Sequence, residues 1–179
     1  RPKLLLPWGD STVLDQTIRH VQESAVFDSL VVTGAGAERI AQIAGQWGVP
    51  TLFNEHYAAG EMLSSLQTAV SRLPENIAAI LVMLGDQPLV EPETIDQILA
   101  AYWQGKGEII APQYGRRRGK PVLNGRPYFQ DLLSLPPHAA PRELLNKTPE
   151  HRVNVAAPAG RLDCEDAREY DRVRPGEST

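Results

Sequence analysis

The sequence predicts one α/β domain, three layers deep, with helices on both faces of a mainly parallel sheet. Three observations carry this. Apolar runs of roughly four to eight residues alternate with longer stretches of helical period, an order that right-handed crossovers turn into parallel strands. The most continuous run, "AAILVMLG" (78–85), shows no polar alternation, as expected of a central strand covered on both faces. The third is bulk: 179 residues, 42% hydrophobic and 22% charged, supply material for one core. No stretch approaches the ~20 apolar residues of a membrane span, and no signal peptide is visible.

The elements follow in order. Lys3 to Leu6 reads either as a short strand or as the start of a helix. "TVLDQTIRHVQES" (12–24) places Val13, Leu14, Ile18 and Val21 at helical spacing, with Ser11 or Thr12 as N-cap. "SLVVTG" (29–34) is β-branched, short and closed by Gly34, hence a buried strand. A second helix spans 37–48 and ends at Gly48, the residue type favoured just past a helix end. "TLFN" (51–54) is a strand, and 60–73 a helix with Met62, Leu66, Ala69 and Leu73 on one face. After the strand at 78–85, Pro92 opens a helix over 91–105. Strands are predicted at 108–112, 120–125 and 152–156, short helices at 127–135 and 141–148, and a closing helix within 163–173. Residues 174–179 read as a tail, and no repeat or linker divides 1–173.

In such sheets ligands bind beyond the carboxyl ends of the strands, which directs attention to the loops after 33, 54, 85 and 112. Asp86 stands at one such end, between Gly85, which allows a sharp turn, and Pro88, which stiffens the exit. A carboxylate fixed there suits Mg²⁺, which takes only one or two protein oxygens; a turn or helix cap explains it equally well. "DCED" supplies Asp163 and Glu165, on one side of the segment if it is extended. They fit a second metal grip or acids favoured at a helix N-terminus. Arg116, Arg117, Arg118 and Lys120 form a cationic run, either solvated surface or a loop for a phosphorylated ligand.

Other classes are poorly supported. A net charge of −4 gives no footprint for nucleic acid. His20, His56, His138 and His151 show no metal spacing, and Ser64 and Ser65 have no His/Asp arrangement nearby in sequence. Cys164, the single cysteine, excludes an internal disulfide and fits a reducing, cytoplasmic setting; it reads as a small hydrophobe.

"RPKLLLPWGDSTVLDQ", "NEHYAAGEMLSSLQTAV", "LVMLGDQPLV", "APQYGRRRGKPVL" and "LDCEDAREYDRV" occur in this order over residues 1–173. Together they resemble the nucleotidyltransferase-like family that contains molybdenum cofactor cytidylyltransferase. The resemblance implies a Rossmann-like fold of the nucleotide-diphospho-sugar transferase type. It implies transfer of CMP from CTP, or of another NTP's nucleotide, to the phosphate of Mo-molybdopterin or another phosphorylated small molecule. Mg²⁺ would be the cofactor. Carried over by position, Lys3 and Asp86 are the catalytic residues, with Lys3 on the triphosphate and Asp86 on the metal. Lys3, Gly34, Ser64, Ser65, Gly85 and Asp86 bind nucleotide, and Asp163 and Glu165 complete the metal set. Arg116, Arg117, Arg118 and Lys120 face the acceptor; Lys120 stands where the family usually has His or Asn. The closing motif, usually Asp-x-Asp-Thr-Pro, reads Asp163-Cys164-Glu165-Asp166-Ala167, which keeps the charge at 165. The resemblance also implies a first strand and a glycine-rich loop ahead of Arg1, whose backbone amides hold the triphosphate. A non-catalytic role in cofactor binding or maturation, with a molybdoenzyme or its chaperone as partner, is the reading from another class.

Overall fold

The structure, a computed structural model, describes residues 2–59, 62–141, 143, 149–155 and 167–175. Lys3–Leu5 forms a single 3₁₀ turn, which decides between the strand and helix readings of that segment. Two short antiparallel strands follow, β1 (Pro7–Trp8) and β2 (Ser11–Thr12). Helix α1 (Val13–Glu23) begins on a capping box. The Thr12 hydroxyl oxygen accepts from the Asp15 amide at 3.2 Å, and the Asp15 carboxylate accepts from the Thr12 amide at 3.2 Å. Two amides that the helix leaves open are thereby satisfied.

Strands β3 (Val31–Thr33) and β4 (Thr51–Phe53) pair in parallel, with α2 (Ala37–Gln46) as the crossover. Leu14, Ile18, Ile40, Ile43 and Ala44 form the core between α1 and α2, and Leu4, Leu5 and Val31 pack against it. Next come α3 (Met62–Val70), β5 (Ala79–Val82) and α4 (Pro92–Trp103), the last opened by proline as predicted. β5 shows why the layers number three. Ile80 and Val82 pack with α3 and α5 (Phe129–Ser134), whereas Ala79 and Leu81 pack with Ile98 and Ala101 of α4. Alternate residues of one strand thus serve opposite faces.

The α/β class and the helices on both faces hold, but the described strands form mixed pairings, not a mainly parallel set. β6 (Ile109–Tyr114) turns into β7 (Arg117–Arg118), and β8 (Val122–Gly125) returns antiparallel between β5 and β6. The reason is length. Only a few residues separate β6 from β8, and a parallel return needs a crossover of roughly a dozen or more. β9 (His151–Val155) then pairs parallel with β6. The final described helix, α6, is Ala167–Val173, and Tyr170 joins Trp8 and Val13 in a further apolar cluster. The helix predicted at 141–148 falls largely outside the described residues, as do 156–166 with Cys164, and 176–179. No described helix is long and apolar enough to cross a membrane.

Candidate active site

The loop after β5 is pinned from three directions. An ideal Cβ on Gly85 would lie 3.1 Å from Leu4 Cδ2 and 3.3 Å from Leu14 Cδ1. Glycine therefore lets the segment carrying Lys3 and the first turns of α1 close onto the loop. From α1, the Thr17 hydroxyl reaches the Gly85 carbonyl at 3.0 Å and its own helix carbonyl of Val13 at 2.9 Å. From within the loop, the buried Gln87 side chain accepts from the Leu84 amide at 3.0 Å. Asp86 is carried between these ties. Its Oδ1 is a buried oxygen to which no described residue donates a hydrogen bond, although the residue takes part in another interaction.

This donor set fits a hard divalent cation held by few protein ligands, because Mg²⁺ completes its shell with water and phosphate oxygens. Among the described residues no three His, Cys, Asp or Glu side chains cluster as a full metal cage. Asp163 and Glu165, the predicted additional ligands, lie outside the described residues.

A second group gathers at the end of β4. Asn54, 0% exposed, donates from Nδ2 to Ser64 Oγ at 2.9 Å and to Ser65 Oγ at 3.1 Å. Its Oδ1 accepts the His56 amide at 3.0 Å. Both serines therefore face the β4 loop from the first turns of α3. Gly34 belongs to the same corner. A Cβ there would lie 2.6 Å from Tyr57 Cβ, so the close pass of Tyr57 accounts for this glycine.

The cationic run divides. Arg116 and Arg117 are exposed around the β6–β7 turn. Arg118 forms an ion pair with Glu150 at 2.5 Å, and Glu150 also holds Arg152 at 3.2 Å. Lys120 points at α3, with Nζ 3.6 Å from Met62 Sδ. Tyr114 packs against Gly119, and its hydroxyl donates to the Lys120 carbonyl at 3.3 Å. Burial pushes the Tyr114 phenol up to about 12, against a smaller opposing effect of a hydrogen bond with Thr94.

Lys3, exposed, stands next to Leu4, the residue that touches Gly85, so the segment carrying Lys3 and the Asp86 loop are neighbours. Thr17, Gln87 and Asn54 escaped the sequence reading. Asn54 carried a signal, since it ends an apolar strand on a polar residue as Asp86 does. Thr17 carried none, being one threonine inside a helix.

Residues 1–153 match the family model of the MobA-like NTP transferase domain. Among curated proteins, the bifunctional protein GlmU of Alkalilimnicola ehrlichii is 33% identical over 172 residues, covering 90% of this chain but 34% of that protein. Molybdenum cofactor cytidylyltransferase of Escherichia coli K12 is 27% identical over 135 residues, covering 75% of this chain and 67% of that one. The chain thus spans about a third of the first relative's length and two thirds of the second's. Among solved structures, a Mycobacterium tuberculosis H37Rv protein crystallised in complex with manganese superposes with a TM-score of 0.81 at 25% identity. That alignment covers 96% of this chain and 91% of the other.

Proposed function

We propose, from the premise that this chain belongs to the MobA-like NTP transferase domain family, that it transfers CMP from CTP to the phosphate of Mo-molybdopterin. The observation that carries the reading is the carboxylate of Asp86, on a loop tied by Thr17 and Gln87 and packed against the segment of Lys3. The name of the E. coli relative, molybdenum cofactor cytidylyltransferase, supports a cytidylyl group and a molybdenum cofactor acceptor. The manganese complex of the mycobacterial structure supports a divalent cation.

Phosphoryl-type transfer asks a protein for positioning and charge neutralisation, with little covalent chemistry. Asp86, joined by Asp163 or Glu165, would hold Mg²⁺, which would supply charge neutralisation to the triphosphate. Lys3 stabilises the negative charge that grows on the departing pyrophosphate. An oxygen of the acceptor phosphate forms the new bond to the α-phosphorus while the bond from that phosphorus to the pyrophosphate oxygen breaks. No protein nucleophile is required. Gly34, Ser64, Ser65 and Gly85 line the nucleotide's place. Arg116, Arg117, Arg118 and Lys120 offset the acceptor's charge, with Arg118 shared with Glu150.

The similarity to GlmU favours a second reading, in which the same site takes another NTP or another phosphorylated acceptor. One assay separates them: pyrophosphate release with CTP, GTP or ATP, with Mo-molybdopterin as acceptor. The first reading expects release with CTP, and loss of at least ~10²-fold in kcat for Asp86→Ala. Release only with GTP or ATP selects the second. Cofactor binding without pyrophosphate release from any NTP, whether Mo-molybdopterin or another phosphorylated small molecule is offered as acceptor, would sink both in favour of a carrier or maturation role beside a molybdoenzyme.

A further inference from the structure

We infer that Asn54 is a positioning residue that sets the polarity of Ser65, turning its hydroxyl into a hydrogen-bond donor toward an acceptor atom of the bound nucleotide. The inference rests on the nucleotidyltransferase reading and adds to it the device by which α3 addresses its ligand.

One donor beside Asn54 has no choice of role. The His56 backbone amide can only donate, and it meets the Asn54 side chain at 3.0 Å, so the atom there is the amide oxygen. The amide nitrogen must then face α3, where it lies 2.9 Å from Ser64 Oγ and 3.1 Å from Ser65 Oγ. Its two protons match its two partners. A hydroxyl oxygen that has accepted such a proton keeps its own proton for another acceptor. Ser64 takes part in a further interaction. For Ser65, half-buried on α3, nothing among the described residues accepts the proton. Asn54 is itself 0% exposed, which removes water as a competitor and fixes the orientation. Polarity therefore passes in one direction, from the main chain at His56 through Asn54 to the Ser65 proton.

An acidic side chain of the same shape reverses this. The carboxylate that Asn54→Asp introduces has, once ionised, only acceptor atoms, so the serine hydroxyls would turn inward and present lone pairs to the ligand. The test is a double-mutant cycle of Asn54→Asp with Ser65→Ala, read as kcat and KM for the NTP. Each single change is expected to raise KM about tenfold, the equivalent of one lost hydrogen bond, with kcat altered less than ~3-fold. The double variant is expected to be no worse than either single one, because Asn54 acts through the hydroxyl already removed. Asn54→Ala enters the same cycle and keeps the test alive should the buried carboxylate of Asn54→Asp prevent folding. Multiplying effects, near a hundredfold together, would show Asn54 acting through general shape and overturn the inference while leaving the transferase standing. An unchanged KM in Ser65→Ala also overturns it. A wild type that releases no pyrophosphate with any NTP fails the transferase reading, and this inference with it.

Discussion

Thr17 illustrates how much can turn on one hydroxyl. It is 4% exposed in α1, yet it ties that helix to the Gly85 carbonyl, one residue from the proposed metal ligand. Replacing it with valine keeps the volume but leaves a half-buried carbonyl short of its partner, which costs about 1 kcal/mol. Thr17→Val is therefore expected to lower the denaturation midpoint and to reduce kcat more than KM, since Asp86 loses its fixed position. Thr17→Ser, which keeps the donor, restores most of the kcat. Equal kcat for valine and wild type would show that the tie does not position the loop. Asn54 follows a similar logic from β4, with an amide in place of a hydroxyl.

At the scale of elements, the β6–β7 hairpin and β8 hold Tyr114 against Gly119 and the Lys120 carbonyl. Burial lifts its phenol from the ordinary 10 to about 12. Below pH 10 the phenol is protonated in both folded and unfolded chains, and its contribution to stability is complete. Between pH 10 and about 12 the unfolded chain releases this proton before the folded one does, so stability falls as pH rises. Unfolding free energies measured across that window are expected to decline less steeply in Tyr114→Phe. An identical slope would place the phenol in water. What the sequence made legible here follows from periodicity and caps. Thr12 and Pro92 mark the starts of α1 and α4, and the unbroken apolar run marks β5. Strand direction was not legible, because residue alternation is the same whichever way a strand runs; the shortness of the 115–121 connection held that information. At the site, Asp86 stood out because it interrupts an apolar run, Lys3 only through the family resemblance, and the cationic run was visible as charge. The pairing of Arg118 with Glu150 was not, since the partners are 32 residues apart and meet only once β9 has paired with β6.

For the molecule as a whole, the sheet and α4 share the cluster of Ile98, Ala101, Ile110 and Leu123. Ile98 is 0% exposed, and Ile98→Ala should cost about 2–5 kcal/mol through lost burial and a residual cavity. Chemical denaturation reads this directly, and a loss below ~1 kcal/mol would mean that the cluster closes over the gap. β6 is the strand on which the five-stranded sheet converges: β7, β8 and β9 all pair with it. That arrangement has a consequence for a chain as it is being made. β6 and β8 leave the ribosome well before His151–Val155, and at ~5–20 residues per second the wait lasts seconds. During that wait Ile110, Ala111 and Pro112 lack their parallel neighbour, and an uncovered apolar edge invites the wrong strand. The last described strand of the sheet to be synthesised is therefore also the guard of the earlier strands' solubility, and a chain released before Val155 should aggregate even though every proposed site residue up to Lys120 has already been built.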